Sequence, residues 1–432
     1  MKAKYHDVVM LIIKRAALAL LAILLIYSVV HFYTAAIQVR EAGFIDTPTF
    51  IAQAGFFMDS GKLYSNPLKE GGELDGFEPS APWYKFPPAY LLAYMPWAPA
   101  IDLDYERYGK TLNALSRDIW AVHVIRYLLS LSVILVLLNS KKSKYFLLNG
   151  MVMGLLFTPV FESLYGLIFD NLLLFSLAII LLLNKSGKNE LAGVVIGALS
   201  MFKLYPAILI LWAIAVKNLK MVAYFIAACF LLLLVSLSVF GLDNHLFFYT
   251  RLLPVLLNET SVADTGNFSL GSLFVQHWEN KHIAMWYFGV FKTLILAATA
   301  AVLWVHGRHD DGCVRYAAIK LSLIVCAMLL YLPNYWGNYQ LILILPVLTL
   351  LAGAYADYRG SFWQGVVAVM CWFVMVLSKD GGGVFVPFGL WKYLHWSSDW
   401  VNFRVYIPLV LWLATALALV THLRGFIKKS SK

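Results

Sequence analysis

Charge is what this chain has least of. Only 13% of its 432 residues are Asp, Glu, Lys or Arg, against 61% hydrophobic residues and a mean hydropathy of +0.73, whereas an ordinary soluble domain is about a quarter charged. That scarcity excludes a soluble globular protein and points to a polytopic membrane protein. Acids are scarcer still, 24 against 34 bases, for a net charge of +10. Such a balance can signal a nucleic-acid partner, but here Lys and Arg lie in short clusters between apolar runs and not along one polar face. No nucleic acid is expected, and the bases are read as topology. Cysteine is equally sparse. Cys229, Cys326 and Cys371 sit inside apolar runs and Cys313 lies beside Asp310 and Asp311, which is neither a metal-ligand spacing nor a disulfide framework. Repeats and low-complexity tracts are absent too, so residues 1–432 read as one integral membrane domain.

What the chain has in abundance is apolar length. The first run covers about 8–30 behind a basic N-terminus without a small-residue cleavage site, and is read as a retained helix. Further runs at 86–101, 113–138, 145–161, 166–183, 191–216, 221–240, 284–305, 316–332, 339–356, 362–377 and 403–422 bring the expected number of transmembrane helices to about twelve, in an all-α fold. Lys2, Lys4, Lys14 and Arg15 at one end and Arg424, Lys428 and Lys429 at the other place both termini in the cytoplasm by the positive-inside bias. The cluster Lys141, Lys142 and Lys144 breaks that bias under strict alternation. Either the run at 86–101 is re-entrant or the bias fails there. Three non-cytoplasmic segments are then long, 31–85, 241–283 and 378–402, as chemistry at the water boundary would need.

In the first of these, Asp46 precedes Thr47 and Pro48, a good helix start, while Phe50, Ile51, Ala54, Phe57 and Met58 recur near helical spacing up to Gly61. A short interfacial helix is predicted. The plain reading of Asp46 is a cap on that helix, worth about 0.5–2 kcal/mol. The sharper reading is a general base at the edge of the bilayer.

Other polar residues compete in the same way. Lys85, beside Pro87 and Pro88 at the mouth of the second run, is either an interfacial anchor or faces an anion. Lys203 stands inside an apolar segment three residues before Pro206; an intramembrane ionisable group is a functional candidate by default, and the proline would break the helix and give the ammonium a polar pocket. The competing reading has Lys203 snorkel to an interface. Glu162, Asp170 and Asn171 form a polar cluster at a span edge, with Asp170 as cap or as site residue. Asn267 and Ser269 follow in the second long segment, and His277 and His282 read as surface residues. Asn334, Tyr335, Trp336, Asn338, Tyr339 and Gln340 lie together between two apolar runs. An aromatic belt explains the rings; paired amides beside a Trp also suit hydrogen bonding and stacking of a sugar.

The order of these pieces, namely an acid after the first span, then AQAGFFMDSGKLYSNP, YKFPPAYLLAYMPWAP, DNLLLFSLAIILLL, AGVVIGALSMFKLYPAILIL, NFSLGSLF and LPNYWGNYQLILILPVLTLL, resembles glycosyltransferase family 87, polyprenol-phosphate-mannose-dependent mannosyltransferases of the C-type membrane superfamily. The resemblance implies transfer of a sugar, mannose or another hexose, from a polyprenyl-phosphate donor to a glycolipid or lipid-linked glycan acceptor, at the non-cytoplasmic face and with inversion. The family's first-loop acid falls on Asp46 as general base, its broken-helix lysine on Lys203, and its later motif on Trp336, Asn338 and Tyr339, with Asn334, Asn267, Ser269, Asp170 and Asn171 as further sugar or acceptor contacts. Lys203, Lys85 and Arg251 would stabilise the leaving phosphate. The chain departs from the family at Ile168 and Phe169, at Phe268, and at Asn338, where a His is often found. An amide orients a hydroxyl or donates to phosphate but does not titrate, which leaves the donor sugar open. Lipid phosphate is already an activated leaving group, so neither a metal nor another cofactor is expected. The partners are the two lipid substrates and the bilayer of an inner or plasma membrane. A flippase of lipid-linked saccharides would favour charged spans and short loops, and an acyltransferase on a lipid carrier would want a histidine, for which His245, His277, His282 and His395 are present.

Overall fold

The computed structural model describes residues 2–42, 46–64, 86–96, 105–166, 169–215, 217–258, 267–278, 280–307, 313–356, 361–377 and 399–430. Those residues form helices and short connections, and the only β-pairing among them is an isolated bridge between Asn267 and Trp336. The helices are α1 (Lys2–Ala42), α2 (Asp46–Ser60), α3 (Pro88–Leu91), α4 (Tyr105–Leu138), α5 (Lys144–Leu155), α6 (Thr158–Gly166), α7 (Phe169–Lys185), α8 (Asn189–Phe202), α9 (Ile210–Ala215), α10 (Leu219–Phe247), α11 (Leu253–Asn258), α12 (Leu270–His277), α13 (Lys281–Gly307), α14 (Val314–Tyr331), α15 (Ile344–Ala356), α16 (Phe362–Leu377) and α17 (Asp399–Ser430).

Among the described residues, seven segments are long and apolar enough to cross a membrane, and α5 with α6, bent by 43°, makes an eighth if the pair is one span. The chain is therefore an all-α, polytopic membrane protein. Two of the expected runs appear as shorter helices: 191–216 splits into α8 and the segment Tyr205–Ile214 beyond its break, and 362–377 is α16. In the run at 86–101, the described residues hold only the four-residue α3. Pro87 and Pro88 start this helix without donating to it, and its C-cap is Leu92. Two loop boundaries also move. The spanning part of α1 is Arg15–Arg40 and not 8–30, and the segment from 241 continues as helix through Leu257. The break expected of a loop there is only a kink at Gly241, whose backbone has φ 74° and ψ 165°. His245 staples it, Nδ1 to the Gly241 carbonyl at 2.7 Å and Nε2 to Ser236 Oγ at 2.9 Å.

Burial sorts the spans into two populations. The spans of α14 and of Gly337–Ala356 are 83% and 78% buried and form the centre, while Arg15–Arg40 and Leu219–Leu257 are 11% buried and form a lipid-facing skin. The long α10 is held to α8 by contact between backbones. A Cβ on Gly193 or Gly197 would lie 2.2 Å from the Met221 carbonyl oxygen or 2.6 Å from that of Phe225, so only glycine permits this approach. That packing matters for the site, because α8 ends at Lys203.

Candidate functional site

Lys203 terminates α8 in an extended conformation (φ −137°, ψ 137°), and the 3-10 turn Tyr205–Leu209 with Pro206 in its first turn follows. The expected break is therefore at the lysine itself. Lys203 does not snorkel to water. It is 3% exposed, and its ammonium lies over the rings of Tyr339 at 4.4 Å, Phe86 at 5.2 Å, Phe169 at 5.3 Å and Tyr205 at 5.8 Å. It also donates to the Tyr339 hydroxyl at 3.3 Å. Ring faces carry negative potential, so this enclosure favours a cation at modest cost.

Asp170 is the second anchor. It lies in the first turn of α7, fully buried, and accepts from the Tyr205 hydroxyl at 2.8 Å and from Asn338 Nδ2 at 2.7 Å. Both are hydrogen bonds of ordinary length. The carboxylate thus ties together the two segments that flank Lys203, the one at Tyr205 and the one at Tyr339. Asn171 turns elsewhere, donating to the His123 carbonyl on α4 at 3.1 Å. It positions α4 against α7 and, in the described contacts, does not join Asp170.

The third part is a strip in which two distant motifs zip together. Phe268 N donates to the Tyr335 carbonyl at 2.9 Å, Asn267 Nδ2 to Asn334 Oδ1 at 2.8 Å, and Asn267 Oδ1 accepts from Tyr335 N at 3.3 Å. Ser269 caps α12 through Ser272 N and donates to the Pro333 carbonyl at 2.5 Å. Trp336, at the bridge, leaves 46% of its surface exposed, which is what a stacking face requires. Burial pushes the Tyr335 phenol up from its ordinary value. The structure thus brings together Lys203, Asp170, Asn338 and Tyr339, and beside them Asn267, Ser269, Asn334 and Trp336.

Asp46 begins α2; its side chain lies outside the described residues, as does Lys85 altogether. The backbone still locates Asp46. Phe50 stands one turn further along α2, on the same face, and its ring meets Phe86 at 5.2 Å, the same Phe86 that encloses Lys203. The far end of α2 is pinned as well. Gly61, at φ +69°, turns the chain, Gln53 Nε2 donates to the Leu63 carbonyl at 2.6 Å, and Leu63 N donates to Asn244 Oδ1 of α10 at 3.2 Å. The Tyr64 hydroxyl donates to the Phe86 carbonyl at 3.0 Å, and burial together with the neighbouring Tyr249 holds that phenol well above its ordinary pKa. Arg251 is exposed on the π-helical turn Phe248–Leu252 and is not among the described contacts of the Lys203 cluster. His277 and His282 are exposed, as expected.

Sequence reasoning missed Tyr205 and Arg404. Tyr205 was legible only as a residue beside Pro206. Arg404 is fully buried: its Nε donates to Gln340 Oε1 at 2.7 Å and its two Nη atoms grip Glu162 at 2.9 and 3.0 Å. Gln340 returns a bond to the Arg404 carbonyl at 3.1 Å, and the guanidinium lies 4.4 Å over Phe268. Gln340, expected as a sugar contact, is thus occupied with Arg404.

No curated protein is similar enough to the chain to count as a match. The sequence model of glycosyltransferase family 87 does match, over residues 84–333. The matched stretch contains Asp170, Lys203, Asn267 and Ser269, and leaves Asp46 and the segment from Asn334 outside it. It covers more than half of the chain, and with the helical membrane fold it establishes that the protein is a membrane glycosyltransferase of family 87.

Proposed function

We propose that the protein moves a hexose, mannose or a close relative, from a polyprenyl phosphate to a lipid-linked or glycan acceptor. The site would face the non-cytoplasmic side of an inner or plasma membrane, with both termini in the cytoplasm. The observation that carries this reading is Lys203, a cation at a helix break inside the membrane domain, enclosed by rings and held against Tyr339. An anionic leaving group is the chemistry such a fixed charge serves best. Family membership supplies the transfer; the residues supply the roles.

In this reading the acceptor hydroxyl oxygen bonds to the anomeric carbon from the face opposite the phosphate. The bond from that carbon to the phosphate oxygen breaks, and its electron pair leaves with the polyprenyl phosphate beside Lys203. The hydroxyl proton passes to the Asp46 carboxylate as general base. Inversion follows from the single displacement. Trp336 would stack on a sugar face, Asn334 and Asn338 would meet its hydroxyls, and Asn267, whose amide is already bonded at both ends, would hold Asn334 in place. Asn338, which already donates to Asp170, keeps its carbonyl oxygen for a ligand.

The test is transfer of label from polyprenyl-phosphate-mannose to a lipid extract by purified protein in detergent, with Asp46→Asn beside the wild type. Labelled product from the wild type and at least about a hundredfold less from Asp46→Asn is expected. Undiminished transfer by the variant would reduce Asp46 to a helix cap. Movement of the intact donor lipid across a vesicle membrane without turnover would replace the transferase with a flippase.

A further inference from the structure

The catalytic reading leaves a second intramembrane lysine unused. Lys292 belongs to the span Lys281–His306, and about 16 Å of helix rise separates it from Lys281. It is half-buried, with its ammonium 5.1 Å from the Tyr331 ring and 5.5 Å from the Phe288 ring. Among the described residues it has no hydrogen-bond acceptor and no carboxylate partner. A lysine in a span costs about 2.5–3.5 kcal/mol at the helix centre, less if the side chain reaches an interface. The fold keeps this charge and assigns it rings alone.

Its surroundings indicate what could neutralise it. Phe288 is one turn earlier on α13, so the lysine stem runs toward the start of that helix. That end carries an aromatic belt: Trp278 stacks on Phe274 at 5.3 Å and on Tyr287 at 5.2 Å, and Trp286 is 65% exposed. Such rings mark the headgroup level of a bilayer. On the other side, Tyr331 closes α14 three residues before Asn334, the start of the amide strip. Val290 and Leu294, on the opposite side of α13, are exposed, whereas Phe288 and Ile295, which share the side of Lys292, are buried. A half-buried cation between a headgroup belt and the sugar-suited strip fits an anion that arrives on a lipid.

We propose that Lys292 is a lateral binding site for the phosphate of a membrane lipid, through which a polyprenyl phosphate enters or leaves the site. The choice of a polyprenyl chain rests on the transfer reading above; the lipid-phosphate site does not. Its chemistry is a charge-assisted contact between the ammonium and a phosphate oxygen, with the lipid chain along α13.

The experiment is direct binding by purified wild type, Lys292→Met and Lys292→Arg in detergent, followed by native mass spectrometry. Polyprenyl phosphate, phosphatidylglycerol and inorganic phosphate are the separate probes. Wild type and Lys292→Arg should bind polyprenyl phosphate, and Lys292→Met should bind it about tenfold more weakly or worse. A loss confined to the polyprenyl arm identifies the carrier lipid, and an equal loss with phosphatidylglycerol identifies a general headgroup; both support the phosphate site. Equal binding of both lipids by Lys292→Met and wild type overturns it, as does inorganic phosphate binding as tightly as the lipids. If Lys292→Met lacks the wild-type thermal transition, Lys292→Gln carries the same test. Binding is read without turnover, so a failed transfer assay leaves this result standing.

Discussion

Arg404 and Lys203 are both buried inside the helix bundle, at 0% and 3% exposure, but they are held differently. Arg404 is gripped by both oxygens of Glu162 on α6 and by Gln340 on the turn Gly337–Leu343, at 2.7–3.0 Å. The described contacts of Lys203 are four ring faces and one phenol. A bidentate carboxylate neutralises a guanidinium and leaves little charge for a ligand. Ring faces stabilise an ammonium without neutralising it. Arg404 therefore staples α17 to α6 and to the turn Gly337–Leu343, whereas the rings around Lys203 hold a cation at a helix break beside Tyr339.

The largest effect on stability is expected from breaking the staple. Arg404→Ala leaves the Glu162 carboxylate without its partner, and removing one member of a buried pair costs about 3–5 kcal/mol. Thermal unfolding in detergent should register this as a large drop in midpoint. The double variant Arg404→Met with Glu162→Leu should recover most of it, since an apolar pair of similar volume often does as well as a buried ion pair. A drop of under about 1 kcal/mol in the single variant would mean that the pair is solvated in the membrane-bound protein and the contrast with Lys203 is lost.

An intermediate effect is expected at Asp170, which holds the two walls of the Lys203 enclosure. Asp170→Leu orphans the Tyr205 hydroxyl and the Asn338 amide, at about 1–3 kcal/mol for each buried group. Asp170→Asn should cost less, because Asn338 can turn its amide over and accept where it formerly donated. Midpoints measured side by side decide the matter. If both variants lose equally, the charge of Asp170 is what the cluster needs, and the pattern of acceptors is secondary.

Much of this was legible where the determining chemistry is local. The start of α2 at Asp46 and its stop at Gly61 follow from Thr47, Pro48 and a glycine that turns at φ +69°. The break at Lys203 follows from Pro206. Asn267, Ser269 and the segment from Asn334 could be picked out as polar islands, yet their pairing across the fold is a tertiary fact. Arg404 was invisible because a lone arginine near the start of an apolar helix reads as an interfacial anchor, and its partner Glu162 is 242 residues away. Nor does hydropathy tell core from skin. The span Leu219–Leu257 is the most apolar, at 2.7, and only 11% buried, while Val314–Tyr331, at 1.7, is 83% buried. In lipid an inner helix can carry Lys320 and Ser322, since neighbouring helices and not water meet its polar groups.

The smallest effect on stability, and the sharpest use of the comparison, is expected at Lys203. Methionine is close to lysine in length, and its thioether makes favourable contacts with aromatic rings, so the four-ring enclosure should accept Lys203→Met. Its unfolding midpoint should stay within about 1 kcal/mol of the wild type, in contrast to Arg404→Ala. In the proposed mechanism transfer should nevertheless fall by about a hundredfold or more, because there a fixed charge at the leaving phosphate would act mainly in the transition state. Donor titrations separate the two roles the lysine can play. A raised KM with kcat intact would make it a docking charge for the phosphate, and a reduced kcat with KM intact would make it a stabiliser of the departing one. A variant that is both less stable and fully active would invert the contrast and make Lys203 the staple.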